Sequence, residues 1–421
     1  MRIAHITPGS GGSFYCENCL RDIALVKALR AEGHDAFTVP MYLPVTIDDP
    51  GFDSAGDVFF GGINAYLQQV SPVFRHTPRW LDRLFDSPAL LRWVAKRASM
   101  TRARGLCEMT LSMLRGADGR QAKELVRLVD WLASGERPDV VCLSNLLLAG
   151  LAEPIRRKTG ARVVALLQDE DTWIDAMPPP YRDQVWNLLA EKARGLDGLI
   201  AVSRFYADAM AGRLGVDRSR VAVVRVGLPL EGYEPAVQSP PLTLGYLARM
   251  SEELGLGILA DAYLLLRQRP GLAALRLKVA GGYTADDVAF LAALRRRLAA
   301  AGAPAEFLPN LGRPERQAFL RGLSVLSVPT SAGGAFGLFL IEAMACGVPV
   351  VQPRAGAFTE LVEMTRGGTL YTPNDAPTLA AGLESLLRDP ALAAEHGRQG
   401  RRAVREHFTS SRMAQEILRV I

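Results

Sequence analysis

Short runs rich in β-branched residues alternate with longer helical patterns along almost all of this chain, and the whole alternation occurs twice. Parallel strands need a long crossover between them, so strand–helix alternation is the sequence form of a parallel sheet wrapped by helices. In the first half, strands are expected at Arg2–Thr7, Ala36–Pro40, Val140–Leu143, Arg162–Leu167, Leu199–Val202 and Val221–Arg225, with helices such as Glu17–Glu32 and Gln184–Arg194 between them. In the second half, strands at Leu242–Leu247, Leu275–Ala280, Ala305–Leu308, Ser324–Val328 and Pro349–Gln352 alternate with helices at Gly255–Gln268, Asp286–Ala301, Leu338–Cys346 and Ala376–Leu387. A length of 421 residues exceeds what one core serves. The expected fold class is therefore α/β, with two doubly wound Rossmann-like domains facing across a cleft. The proline-rich stretch Leu228–Pro241 reads as the linker, with the boundary near Ala236. This gives an acceptor-side domain over 1–235, a second domain over 236–405 and a C-terminal helix over 406–421 that could return to the first domain.

Several classes are disfavoured at once. Hydrophobic residues make up 49% and charged residues 22%, without a polar low-complexity tract, so the chain is of ordinary globular type. The start, Met1 to Gly9, is broken too early by Pro8 and Gly9 for a signal-peptide core, and a cytoplasmic location is expected. The apolar run Phe336–Val351 is interrupted by Glu342 and Gly347 and falls short of the roughly 20 residues that span a bilayer. Five cysteines, an odd number, point to reduced thiols. Cys16 and Cys19 form a C-x-x-C pair that could serve redox chemistry or half a zinc site; lacking a second pair, they read as two thiols at a helix start. Between Ser71 and Arg104, eight basic residues face two acidic ones and interleave with aromatic and aliphatic side chains. That insertion suits peripheral contact at the inner face of a membrane or a helix packed on its domain with a solvated cationic face. Nucleic acid is not an expected partner, because no aromatic β platform accompanies the basic residues.

Ligands of doubly wound sheets sit beyond the C-terminal ends of the strands, so the loops after strands are the candidate sites. The first strand ends in Thr7-Pro8-Gly9-Ser10-Gly11-Gly12-Ser13, where glycines would let a backbone approach a phosphate or simply make a tight turn. The spacing lacks G-x-G-x-x-G, which disfavours a nicotinamide or flavin enzyme. In the second half, Pro329 to Gly337 follows a buried strand and opens the helix beginning at Leu338, whose first amides could face a diphosphate. Glu342 lies one turn into that otherwise apolar helix. Its carboxylate needs partners, which ribose hydroxyls or a structural arginine could supply. Gly356 allows another close approach, with Thr359 as an N-cap candidate. After the fourth strand, Gln168-Asp169-Glu170-Asp171 could place a carboxylate beside a developing oxocarbenium or an acceptor hydroxyl, or form a solvated turn capped by Asp171.

Phe336-Gly337-x-x-x-x-Glu342-Ala343-Met344-Ala345-x-Gly347-x-Pro349-Val350-Val351, followed by Gly356 and Glu360-Leu361-Val362, resembles the signature of the family-4 retaining glycosyltransferases of GT-B fold. The resemblance extends to Gly245-Tyr246-Leu247-Ala248-Arg249, to Ala201-Val202-Ser203 with Tyr206, and to Gly33-His34-Asp35. It implies a nucleoside-diphosphate-sugar donor, an acceptor whose identity it leaves open (glycan, lipid or small molecule), retention of anomeric configuration, and no cofactor or metal. It also implies roles: Arg249 neutralises the diphosphate and takes part in catalysis, Glu342 binds the ribose, Gly11 and Gly12 face the donor phosphate, and Gly334, Phe336, Gly337 and Leu338 line the donor site. Gln168 and Asp169 are the other candidate catalytic residues.

Three positions depart from the family pattern. Gly334 stands where the first glutamate of E-x7-E is expected, Leu254 where a lysine follows the arginine, and Gln168 near where a histidine follows the fourth strand. A lost charge-assisted contact to a diphosphate costs about 1.5–3 kcal/mol, a tenfold or larger penalty. Two alternatives follow: a catalytically impaired GT-B-like protein that binds a sugar nucleotide or a partner, and a D-x-D metal site at Asp169 and Asp171.

Overall fold

The computed structural model describes residues 1–9, 17–42, 59–60, 68–69, 106–236, 241–330 and 333–421. Gly11, Gly12, Cys16 and the basic insertion 71–104 lie outside them. The chain divides into two compact units: unit 1 comprises Met1–Gly12, Asn18–Arg225 and Ser410–Ile421, and unit 2 comprises Ser13–Glu17 and Val226–Thr409.

Unit 1 holds β1 (Arg2–Thr7), β2 (Asp35–Pro40), β3 (Val140–Leu143), β4 (Arg162–Leu167), β5 (Gly198–Ala201) and β6 (Val221–Val223), all parallel in the order β2-β1-β3-β4-β5-β6. These strands are buried on both faces, which is why they read as near-continuous apolar runs. Helices α1 (Glu17–Ala31), α2 (Cys107–Arg115), α3 (Ala122–Trp131), α4 (Ala152–Thr159), α5 (Glu170–Asp175), α6 (Tyr181–Arg194) and α7 (Arg204–Leu214) complete the described part of the main fold. Gly33, at φ +85°, makes the left-handed turn between α1 and β2 that glycine adopts without strain.

Unit 2 holds β7 (Thr243–Leu247), β8 (Arg276–Gly281), β9 (Ala305–Pro309), β10 (Val325–Leu326), β11 (Val350–Pro353) and β12 (Gly368–Tyr371) in the parallel order β12-β11-β10-β7-β8-β9. Its helices are α8 (Leu256–Arg267), α9 (Val288–Ala300), α10 (Arg313–Arg321), α11 (Leu338–Ala345), α12 (Gly356–Thr365), α13 (Ala376–Arg388) and α14 (Pro390–His407). Every residue of α11 is buried, as expected of a helix apolar on all sides. β12 is a strand that the pattern of apolar runs did not single out; its Gly368 packs so closely that a Cβ would lie 2.0 Å from the Val350 carbonyl oxygen.

The stretch expected to be a linker is partly built into unit 2. Leu228 N–H donates to Phe408 O at 2.8 Å, Arg313 donates to Pro229 O at 3.1 Å, and Ala236 N–H donates to Cys346 O at 2.7 Å. The last helix, α15 (Ser410–Leu418), belongs to unit 1, where Met413, Ala414 and Ile417 join a core with Ile3, Leu25, Val164 and Ile200. Among the described residues no helix is long and apolar enough to cross a membrane.

Candidate functional site

In unit 2 the strand order reverses between β7 and β10, and the crevice beyond their C-terminal ends is where such sheets take ligands. β7 leads into Arg249, and β10 leads through Gly333–Gly337 into α11. Gly333 of this loop and Gly356 beyond it are required by backbone contact. Gly333 and Gly356 have φ of +68° and +53°, and a Cβ on Gly356 would lie 2.8 Å from the backbone N and O of Gly334. Ala357 N–H donates to Gly334 O at 3.0 Å, satisfying one of the amides that begin α12. That bond removes the need for a side-chain cap: the helix starts at Gly356 after Ala355, and Thr359 lies inside it rather than at its N-cap. Gly337, at φ +108°, turns the chain into α11, with Phe336 and Leu338 buried on either side of it.

Arg249 is one-third exposed and held as a fork: Nε and Nη2 donate to the two oxygens of Asp287 at 3.1 and 3.2 Å, and Nη2 reaches Glu253 at 3.4 Å. Asp287 also accepts from the Thr284 amide and hydroxyl at 2.7 and 2.8 Å. Burial alone would raise the Asp287 carboxyl, but the Arg249 and Thr284 hydrogen bonds outweigh it and hold it below its usual range. Leu254, at the position expected for a lysine, is partly buried and supplies no cation.

Glu342, expected to meet ribose hydroxyls or a structural arginine, has protein partners. Its side chain is 0% exposed, and its Oε1 accepts from Arg316 Nε at 2.9 Å and from the Tyr233 hydroxyl. The partners that a buried carboxylate demands are thus present within the protein, and Glu342 ties α10 and the segment around Tyr233 to α11.

Unit 1 concentrates polar groups at the matching edge of its own sheet. Asp22 of α1 is 2% exposed and accepts from Thr7 Oγ1 at 2.9 Å, Ser144 Oγ at 2.6 Å and Arg21 Nη2 at 2.7 Å, with His5 Nε2 at 3.1 Å. Burial would raise its carboxyl, but Arg21, His5 and Ser144 together hold it well below the usual carboxylate range. Arg21 continues outward, donating to Ser144 O at 2.7 Å and to Gln168 Oε1 at 2.5 Å. An arginine only donates, so Gln168 is oriented with its oxygen toward Arg21 and its amide NH2 turned away.

Asp169 follows at φ +61°, a left-handed conformation uncommon outside glycine and the kind of local strain that collects at functional sites. It occupies the N-cap position of α5 without a side-chain cap, so Asp171 does not cap this helix; Asp171 lies within its first turn. Glu170 is 1% exposed and accepts from the amides of Leu146 and Gln168 at 2.9 and 2.8 Å. The Tyr206 hydroxyl stands 2.9 Å from both Glu170 Oε2 and Asp171 Oδ1 with one proton between them. Burial pushes the Glu170 carboxyl up to about 7, against the pull of those amide donors.

Sequence reasoning reached Gln168, Asp169 and Arg249 but not Arg21, Asp22, His5, Ser144, Asp287 or Arg316. Asp22 stands on the same helical face as Leu25, Val26 and Leu29, all buried, and a charge on such a face was the available signal.

Two parallel doubly wound units in one chain, each with its loops gathered at a strand-order reversal, define a GT-B glycosyltransferase fold. Sucrose-phosphate synthase from Thermosynechococcus elongatus aligns with a TM-score of 0.71 at 17% identity, covering 100% of this chain and 98% of the other. Anabaena HepE in complex with UDP aligns with a TM-score of 0.68 at 18% identity, covering 100% and 99%. The family model for "Glycosyl transferase 4-like domain" matches residues 24–227, and that for "Glycosyl transferases group 1" matches residues 241–389. The chain belongs to this family of group 1 glycosyltransferases. Similar curated relatives include a D-inositol 3-phosphate glycosyltransferase of Pseudarthrobacter chlorophenolicus, 30% identical over 52% of this chain and 54% of its own length. The glycogen synthase of Mycobacterium tuberculosis is 27% identical over 65% of this chain and 66% of its own. The match thus spans about half to two-thirds of the length of these relatives.

Proposed function

We propose that this chain is a retaining glycosyltransferase, binding a nucleoside-diphosphate sugar on unit 2 and passing the sugar to an acceptor held by unit 1. The observation that carries this reading is the unit 2 switch point, where Arg249 after β7 and the Gly333–Gly337 loop after β10 flank the start of α11. The Gly337 amide and the positive end of α11 favour a diphosphate there; the Leu338 N–H donates to the Glu17 carboxylate at 2.8 Å, an anion already seated at this helix start. Gly334 and Phe336 shape the loop beneath it. Arg249 would exchange part of its fork with Asp287 for the phosphate oxygens, a cation already oriented by its partner. The solved neighbour HepE is described with UDP and with UDP-glucose, which makes uridine sugars the first donors to test.

On unit 1, Arg21 fixes the Gln168 carboxamide so that a donor N–H is presented where the family pattern has a histidine, and Asp169 offers a half-buried carboxylate beside it. In the reaction, the bond from the anomeric carbon to the diphosphate breaks and a bond to the acceptor oxygen forms on the same face. The acceptor proton goes to the departing diphosphate, so no enzyme nucleophile and no metal is called for. An acceptor at the inner membrane face would engage the basic insertion 71–104, placing the protein in the cytoplasm.

The test is a panel of uridine, guanosine and adenosine diphosphate sugars, with nucleotide release followed in time and the product anomer read by NMR. Transfer with retention is expected, Arg249→Ala should lower kcat/KM by about 100-fold or more, and chelation by EDTA should leave the rate unchanged. An inverted product, or a rate indifferent to Arg249→Ala, would sink the assignment. A second reading, a sugar-nucleotide binder without turnover, is favoured by the Arg249–Asp287 fork and by Gly334 where a carboxylate is expected. Saturable nucleotide binding with no release from any donor would select it.

A further inference from the structure

α14 carries a second cationic feature at the end of α11 remote from the Gly333–Gly337 loop. Gly397 and Gly400 let this helix press against backbone: a Cβ on Gly397 would lie 2.2 Å from Gly347 O, and one on Gly400 would lie 2.9 Å from the Gly367 Cα. Close seating of the helix draws the root of Arg401 inward, beside the buried stripe of Gly397, Gly400 and Val404. Arg398, Arg402 and Arg405 stand exposed next to it, at spacings of four and three residues on one helical face. Together with Arg401 and Glu406 these arginines line a cleft of about 500 Å³.

Among the described residues, Arg401 Nη1 is shut off from solvent and has no hydrogen-bond partner. A buried guanidinium N–H left unpaired is costly, because it has given up water without a replacement. Its neighbourhood worsens the cost: burial and the nearby charge of Arg405 both disfavour its cationic form, offset in part by Glu234. Arg398 is ion-paired with Glu395, which leaves Arg401, Arg402 and Arg405 against the one carboxylate lining the cleft, an excess of positive charge that a polyanion would neutralise.

We propose that this cleft is a binding site for a small phosphorylated anion, separate from the donor site and unassigned by the family's glycosyl-transfer chemistry. The exposed forks of Arg402 and Arg405, side by side with the half-buried Arg401, match the several oxygens of a compact phosphate or diphosphate group, which can engage more than one fork at once.

The test is calorimetric titration of the full chain with inorganic pyrophosphate at fixed ionic strength, on the wild type, on Arg401→Gln/Arg405→Gln and on Arg249→Ala. Circular dichroism checks that each is folded. Binding should survive Arg249→Ala and weaken by about tenfold or more in the double variant. Binding lost in Arg249→Ala but kept in the double variant would place the anion at the donor loops and overturn the proposal. So would an absence of pyrophosphate binding alongside arginine-dependent sedimentation with phosphatidylglycerol vesicles, which would make the cleft a membrane contact. Should Arg401→Gln unfold the chain, Arg402→Gln/Arg405→Gln, both at exposed positions, carries the same comparison.

Discussion

At Glu170 a carboxyl sits almost without water, between two amide donors and a tyrosine whose single proton is shared with Asp171. Its folded pKa of about 7 lies above the ordinary 4.5. A raised acid binds its proton more tightly when folded, so its stabilising contribution is complete below about 4.5 and is lost as pH rises through about 7. Wild-type Tm should therefore fall between pH 5 and 8 more steeply than that of Glu170→Gln; parallel curves in the two proteins would dismiss Glu170 as the titrating group. The glycines at the starts of α11 and α12 separate at this scale too. Gly356→Ala puts a Cβ into the Gly334 backbone at positive φ and should cost about 1–3 kcal/mol in denaturant titration. Gly334→Ala meets only the Phe358 ring at 3.4 Å, ordinary contact, and should stay within about 0.5 kcal/mol. The sequence named Gly356 as a close-approach position and Gly334 as a departure from the family's E-x7-E pattern. What it left open was that Gly356 packs on the backbone of Gly333 and Gly334.

α10, α11 and the segment around Tyr233 are clamped through one carboxylate. Arg316→Met takes the cation away from the buried Glu342 and should destabilise unit 2 by about 3–5 kcal/mol, whereas adding Glu342→Leu should recover much of that loss. A double variant as unstable as the sum of its parts would show that the pair is not a coupled unit. α11 itself was legible: eight apolar-rich residues interrupted by one glutamate can only be an interior helix with a partnered acid. The identity of that partner was not, because Arg316 lies 26 residues away and Tyr233 lies 109 residues away.

Across the whole molecule, the chain's end completes its beginning. Met413, Ala414 and Ile417 of α15 fill the unit 1 core, and Ser411 and Gln415 donate to Glu32 at 2.7 and 3.0 Å. Deleting residues 410–421 opens that core and should cost more than about 3 kcal/mol, seen as an early unfolding transition for unit 1 with unit 2 retained. One unchanged transition would mean that α15 is dispensable.

Strand–helix alternation, both central β–loop–helix units and the group 1 signature were set by local pattern, because periodicity and glycine placement act within a few residues of chain. Helix starts at Gly356 and Glu170, the fork that occupies Arg249, the internal pairing of Glu342 and the network joining His5, Arg21, Asp22, Ser144 and Gln168 were settled only by tertiary structure. Each depends on which strands lie side by side. Partners as far as 147 residues apart meet only after the sheets have formed, and no local pattern encodes that meeting.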